Sequence, residues 1–169
     1  MKRLIFWDRA PQAADTFANE FGGEIANDLT SAARSADVIA CCTSAREPFL
    51  HPGMVTPGTF IAAVGADNPD KNEIAPELMA AVTVVVDSLQ QCAVMGDLHH
   101  AIGAGLIAEA DVYAELAEVL VGTATGRRSA DEIIIFDSTG TGLLDVTAAA
   151  TIYARCAESG AALAVALSR

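Results

Sequence analysis

With 169 residues and 17.4 kDa, the chain is the size of one domain and long enough to bury a core. Twenty-two Asp and Glu against ten Lys and Arg give a net charge of −12 and a pI near 4.4, with no basic stripe to neutralise a run of phosphates, so a nucleic-acid partner is disfavoured. Hydrophobic residues make up 52%, yet Gly, Pro or charge breaks every apolar stretch well short of the ~20 residues a bilayer span needs, so no membrane segment is expected.

The first residues, MKRLIFWDRAPQ, place only four apolar side chains before Asp8, too few for a signal peptide, and a cytoplasmic location is expected. Leu4–Trp7 reads as the first strand. Pro11 suits a first helical turn, and Ala14, Phe17, Ala18 and Phe21 recur at helical spacing up to Gly22-Gly23. Glu24–Ala26 is a weak strand, and Asp28 caps a short helix running through Ser35. Asp37–Cys42 (DVIACC) reads as a strand buried on both faces, and Thr43–Gly58 as loop. Thr59–Val64 and Val82–Val86 are continuous apolar strands of central type, separated by a helix opening at Pro76. Ser88–Ile107 is helical with glycine interruptions. A helix from about Asp111 to Val121 is expected to end at Gly122, Glu132–Phe136 is a last strand, and a long helix over Gly142–Glu158 carries the chain out.

Strands alternating with helices predict an α/β, Rossmann-like, doubly wound and mostly parallel sheet, divided into residues 1–140 and a C-terminal helix and tail over 141–169. In such sheets ligands bind beyond the carboxyl ends of the strands, which directs attention to the residues after each strand.

Several linked stretches, DVIACCTSAREPFL, FIAAVGADNPDKNEI, VVVDSLQQC, YAELAEVLVGTATGRRSADEIIIFDSTG and LLDVTAAATIYARC, resemble the ornithine cyclodeaminase/mu-crystallin family from Arg3 to about Gly160. The resemblance implies an NAD(P)-dependent enzyme acting on a small amino or imino acid by hydride transfer, either ornithine to proline plus ammonia or reduction of a cyclic imine. It also implies that the chain starts at the second strand of the fold, lacking the substrate and dimerisation segment, the first and central strand, and the GxGxxG turn that holds a pyrophosphate. The alternative is a non-catalytic truncated or split-gene fragment that binds nucleotide weakly or needs a complementary N-terminal chain. A homodimer is the other partner to consider.

Asp67, in a Gly-Ala/Asn-Pro loop after a buried strand, is the candidate catalytic acid/base, and suits that task if partial desolvation raises its pKa. Its bland reading is a turn-forming acid. Asp8 ends the first strand, where dinucleotide folds place an acid on the ribose 2′-hydroxyl, while Arg9 is the type that accommodates a 2′-phosphate; the pair favours NAD and leaves NADP open. The resemblance puts Thr43 and Ser44 along the dinucleotide, Val64 and Gly65 near the nicotinamide, and Ser138 on the nicotinamide side. Gly140 and Gly142 imitate a phosphate loop, but Asp145 stands where the third glycine belongs, and they read as loop glycines. His51, His99, His100 and the four cysteines have no ligand spacing, so no metal site is expected.

Overall fold

The computed structural model describes residues 3–161 and Leu163, which fall into two compact units, one up to Thr139 and one from Gly140. In the first unit, strand β1 (Ile5–Phe6) leads into helix α1 (Pro11–Phe21), where Pro11 takes a first-turn position whose N–H has no helical acceptor. Gly22 closes α1 at φ 69°, donating its N–H to the Ala18 carbonyl. Strand β2 (Glu24–Ile25) returns parallel to β1, and the Asp28 carboxylate caps helix α2 (Leu29–Arg34) by accepting the Ser31 N–H at 2.8 Å.

Strands β3 (Val38–Cys41), β4 (Phe60–Ala63) and β5 (Thr83–Val86) follow, with helix α3 (Pro76–Ala80) between the last two. Helices α4 (Leu89–Cys92) and α5 (Asp97–Gly103) lead to strand β6 (Ala114–Glu115), helix α6 (Leu116–Val121) and strand β7 (Ile134–Asp137). β3 to β7 form one parallel sheet in the order β3-β4-β7-β5-β6. The continuous apolar runs become its interior: β4 and β5 each have strands on both sides, as expected of central strands. Ile61, Ile135, Val84 and Val86 pack with Leu50, Leu78, Met79 and Leu98 in a core essentially closed to solvent. Each such side chain contributes about 1.5–3 kcal/mol of transfer free energy.

Two expectations are corrected. The helix expected over 111–121 begins only at Leu116, because residues 113–115 are drawn out along the sheet: the Tyr113 N–H donates to the Val84 carbonyl, and Ala114 and Glu115 pair with Val85 and Val86. An alanine buried in a strand and one buried in a helix share the same hydropathy, so periodicity favours the longer element. β3 is not buried on both faces: only Cys41 is closed to solvent, and Val38 is 64% exposed. The strands form two sheets, since among the described residues β1 pairs only with β2 and β3 only with β4.

The second unit holds helix α7 (Gly142–Ser159), ended by Gly160 in the left-handed conformation at φ 66°. No helix among the described residues is long and apolar enough to cross a membrane.

Candidate functional site

The parallel register brings the loops after β3 and β4 together. Cys41 pairs with Ala63, and the Val64 N–H donates to the Cys41 carbonyl at 2.9 Å, so the chain leaves both strands at the same level. Beyond that level the Glu73 carboxylate, fully buried, accepts the Thr43 N–H on one oxygen at 2.6 Å and the Gly65 N–H on the other at 2.9 Å. Gly65 is required by this closeness: a Cβ there would collide with the Glu73 carboxylate and lie 2.5 Å from the Thr43 carbonyl oxygen. The structure thus places Thr43, Val64 and Gly65 side by side at the carboxyl ends of two adjacent strands.

Asp67 stands on the same loop, exposed, and forms an ion pair with Lys71 at 2.8 Å, while the Lys71 ammonium also donates to the Gly65 carbonyl at 3.1 Å. The Lys71 hydrogen bond, more than its charge alone, holds the Asp67 carboxyl below the usual range. The acid/base role suited this residue on the condition that partial desolvation raised its pKa; here the shift runs the other way, because the loop leaves Asp67 in solvent beside a cation. At neutral pH Asp67 is therefore a carboxylate.

Ser138 follows β7 and is tied to β4 by its N–H, which donates to the Ala63 carbonyl at 2.9 Å; its hydroxyl donates to Asp87 at the end of β5. Thr139 accepts from the Gln91 side-chain amide at 2.8 Å, and the buried Cys92 thiol donates to Asp87 at 3.2 Å. Burial pushes the Cys92 and Cys41 thiols well up, so neither is a thiolate nucleophile.

Below these loops lie two fully buried acids. Asp97 accepts the N–H groups of Glu73 at 2.6 Å and Ile74 at 2.9 Å on one oxygen, and Asp137 accepts the Leu98 N–H at 2.9 Å. The second oxygen of each has no hydrogen-bond partner among the described residues. Burial pushes Asp97 up to about 6, and burial together with the Asp97 charge pushes Asp137 up to about 8, so Asp137 keeps its proton at neutrality. Asp97 did not stand out in the sequence, where it opens a short helix after Gly96; Asp137 stood among the strand-tip residues, with no role given to it. Lys71 and Glu73 lie inside the stretch that carries the family resemblance, yet residue type alone gave them no role.

Asp8 and Arg9 end β1. The Asp8 carboxylate accepts the Ala10 N–H at 2.6 Å, the turn-forming use, while Arg9 lines a cleft of about 310 Å³ with Ser44, Ala45, Arg46 and Glu47, where the carboxyl end of β1 meets the loop after β3. No group of three His, Cys, Asp or Glu that could hold a metal ion occurs among the described residues.

A parallel sheet with glycine- and hydroxyl-bearing loops gathered at its carboxyl edge defines part of a Rossmann-like dinucleotide fold. The profile of the Ornithine cyclodeaminase/mu-crystallin family matches residues 1–160, and the chain belongs to that family. It is 37% identical to iminosuccinate reductase of Paracoccus denitrificans over 95% of this chain and 51% of that protein. It is 40% identical to alanine dehydrogenase of Archaeoglobus fulgidus over 72% of this chain and 38% of that protein. Among solved structures, an archaeal alanine dehydrogenase dimer with bound NAD superposes with a TM-score of 0.88 at 31% identity, over 98% of this chain and 53% of that one. Thermococcus litoralis Delta(1)-pyrroline-2-carboxylate reductase, in complex with NADH and L-proline, gives a TM-score of 0.90 at 29% identity, over 95% of this chain and 52% of that one. The chain spans about half the length of the relatives it matches.

Proposed function

We propose that this chain is the nicotinamide-binding part of an NAD(P)-dependent enzyme that interconverts a small amino acid and its imine. One observation carries the reading: β3 and β4 are adjacent and in register, so that Thr43, Val64 and Gly65 converge with Asp67 on the same loop. The residues present fit the nicotinamide end of such a cofactor, because the half-exposed Val64 offers an apolar surface for a ring at the carboxyl end of β4, beside the Thr43 loop. Thr43, Ser44, Val64, Gly65 and Ser138 would hold it, with Asp8 and Arg9 toward its adenosine ribose.

When bound, the cofactor supplies hydride exchange with the substrate α-carbon. Asp67 takes the proton that leaves the substrate nitrogen as an amine becomes an imine, and returns it in the reverse direction. Lys71 keeps Asp67 ionised and orients it. Ser138, fixed by Asp87 and the Ala63 carbonyl, would help to hold the cofactor from the β7 side. NAD is the cofactor favoured by the company of NAD-bound relatives, with NADP left open by Arg9. With ornithine, attack of the distal amine on the imine and loss of ammonia would give a cyclic imine, and return of the hydride to that imine would give proline; with a cyclic imine as substrate only this last reduction would run. A cytoplasmic site of action agrees with four free cysteines.

Titration with NADH followed by fluorescence, then turnover with a cyclic imino acid, tests the reading. Asp67→Asn should keep NADH affinity and lose about 10²–10⁴ of turnover; full turnover in that variant would remove Asp67 from the mechanism.

The edges of β1 and β3 that are unpaired among the described residues favour a second reading, in which tight nucleotide binding waits for one more parallel strand between them, supplied by preceding polypeptide or by a separate chain. Submicromolar NADH affinity in the 169-residue chain alone would sink this second reading.

A further inference from the structure

We propose that Glu73 is the positioning residue of this site: its buried carboxylate replaces the next rung of the β3–β4 ladder and sets the spacing of Thr43 and Gly65. The ligand part of this proposal rests on the reading given above; the structural part does not.

Glu73 binds one loop with each oxygen, the Thr43 N–H at 2.6 Å and the Gly65 N–H at 2.9 Å, just past the last backbone bond of the ladder, from Val64 to Cys41. Its own backbone is held from two sides. The Glu73 N–H donates to the Asp97 carboxylate at 2.6 Å, and the Glu73 carbonyl accepts from Phe49 and Leu50, both at 3.1 Å. Glu73 and Asp97 are closed to solvent. Burying two acids is an expensive way to gain stability, and a well-packed apolar pair would serve the core as well or better. What a carboxylate does that an apolar side chain cannot is accept two N–H groups from two different loops at a fixed separation. The collision a Gly65 Cβ would make with Glu73 shows how closely the loop has been drawn in.

Glu73→Gln keeps the size of the side chain but turns one acceptor into an amide donor, which then faces an N–H. One of the two loops must lose its partner. Asp97→Asn differs: its remaining oxygen can still accept the Glu73 and Ile74 N–H groups, so it leaves the staple intact.

The test uses the full ¹⁵N-labelled chain and has two arms. In the first, amide exchange in the wild type should find Thr43 and Gly65, which lie outside the strands, as protected as the ladder amides of β4. Glu73→Gln should speed exchange at one or both of them at least tenfold, with Ile61 and Ile135 unchanged and Asp97→Asn like wild type. Fast exchange of Thr43 and Gly65 in the wild type overturns the staple even where the variant fails to fold. In the second arm, Glu73→Gln should weaken nicotinamide mononucleotide and NADH at least tenfold and leave AMP unchanged, because the adenosine end lies with Asp8 and Arg9. A parallel loss of AMP and NADH would reduce Glu73 to a folding role and overturn the positioning claim. Failure of the wild type to bind any nucleotide, with the exchange pattern as expected, would instead overturn the dinucleotide reading and leave the staple standing.

Discussion

The two sheets of this chain are built from similar residues and held very differently. In the five-stranded sheet β4, β7 and β5 have neighbours on both sides, and Ile61, Ile135, Val84 and Val86 are shut in by α3 and α5. The β1–β2 pair, with α1, buries only Ala14 among its elements, and Phe17 and Phe21 stack on one another while 51% and 60% exposed. A two-stranded ribbon with one partly covered face is marginal in water, whereas a sheet with packed helices is not. Stability is therefore concentrated where the loops of the candidate site are anchored, and thin where the adenosine end of a dinucleotide would lie.

Hydrogen exchange offers the strongest way to break this contrast. Amides of β4, β5 and β7 should exchange on the order of a thousandfold more slowly than those of β1 and β2, since the former open only with the core and the latter locally. Equal protection in the two sheets would abolish the distinction. Truncation gives the next largest effect: Ile135→Ala should cost about 2–5 kcal/mol in denaturant unfolding, as a methyl-lined cavity opens in the middle of the sheet, while Phe17→Ala should cost about 1 kcal/mol or less.

The pH dependence sharpens the picture of the anchored side. Asp137 has a folded-state pKa of about 8 against an ordinary 3.8, so the folded chain binds the extra proton between those values. Its contribution to stability is greatest in acid and is lost as pH rises through about 4 to 8. Thermal midpoints of Asp137→Asn should lose that downward slope and exceed the wild type at pH 8; an unchanged slope would show that Asp137 does not titrate there. The smallest effect belongs to the exposed loop. Lys71→Ala should raise the Asp67 pKa, read by carboxyl NMR, and cost about 1 kcal/mol or less in denaturant unfolding, because Asp67 is exposed and the Lys71 ammonium gives up one further bond, to the Gly65 carbonyl.

Much of the architecture could be read from local chemistry. Pro11, Gly22 and Asp28 punctuate α1 and α2 as their backbone preferences dictate, and the apolar runs around Ile61 and Val84 became central strands as their composition leads one to expect, whereas the place of β7 between them was not legible. Residues 113–115 could not be read this way. Their strand exists only because β5 offers an open edge to Tyr113 and Ala114, a fact recorded in Val84 and Val85, about thirty residues away. At the site, Thr43, Gly65 and Asp67 were legible from their places after strands. Glu73 and Asp97 were not, and Asp137 was legible only as a strand-tip residue, because an acid that will be buried and an acid that will be solvated are the same letter.

The sequence alone determined where strands and helices alternate, which residues would stand at the strand tips, and the family to which those tips point. The tertiary structure decided which tips meet, which acids lose their water, and that the strands divide into two sheets. The physical reason is range: caps, turns and periodicity act within a few residues, whereas desolvation, carboxylate staples and ladder partners depend on groups that only the folded chain brings together.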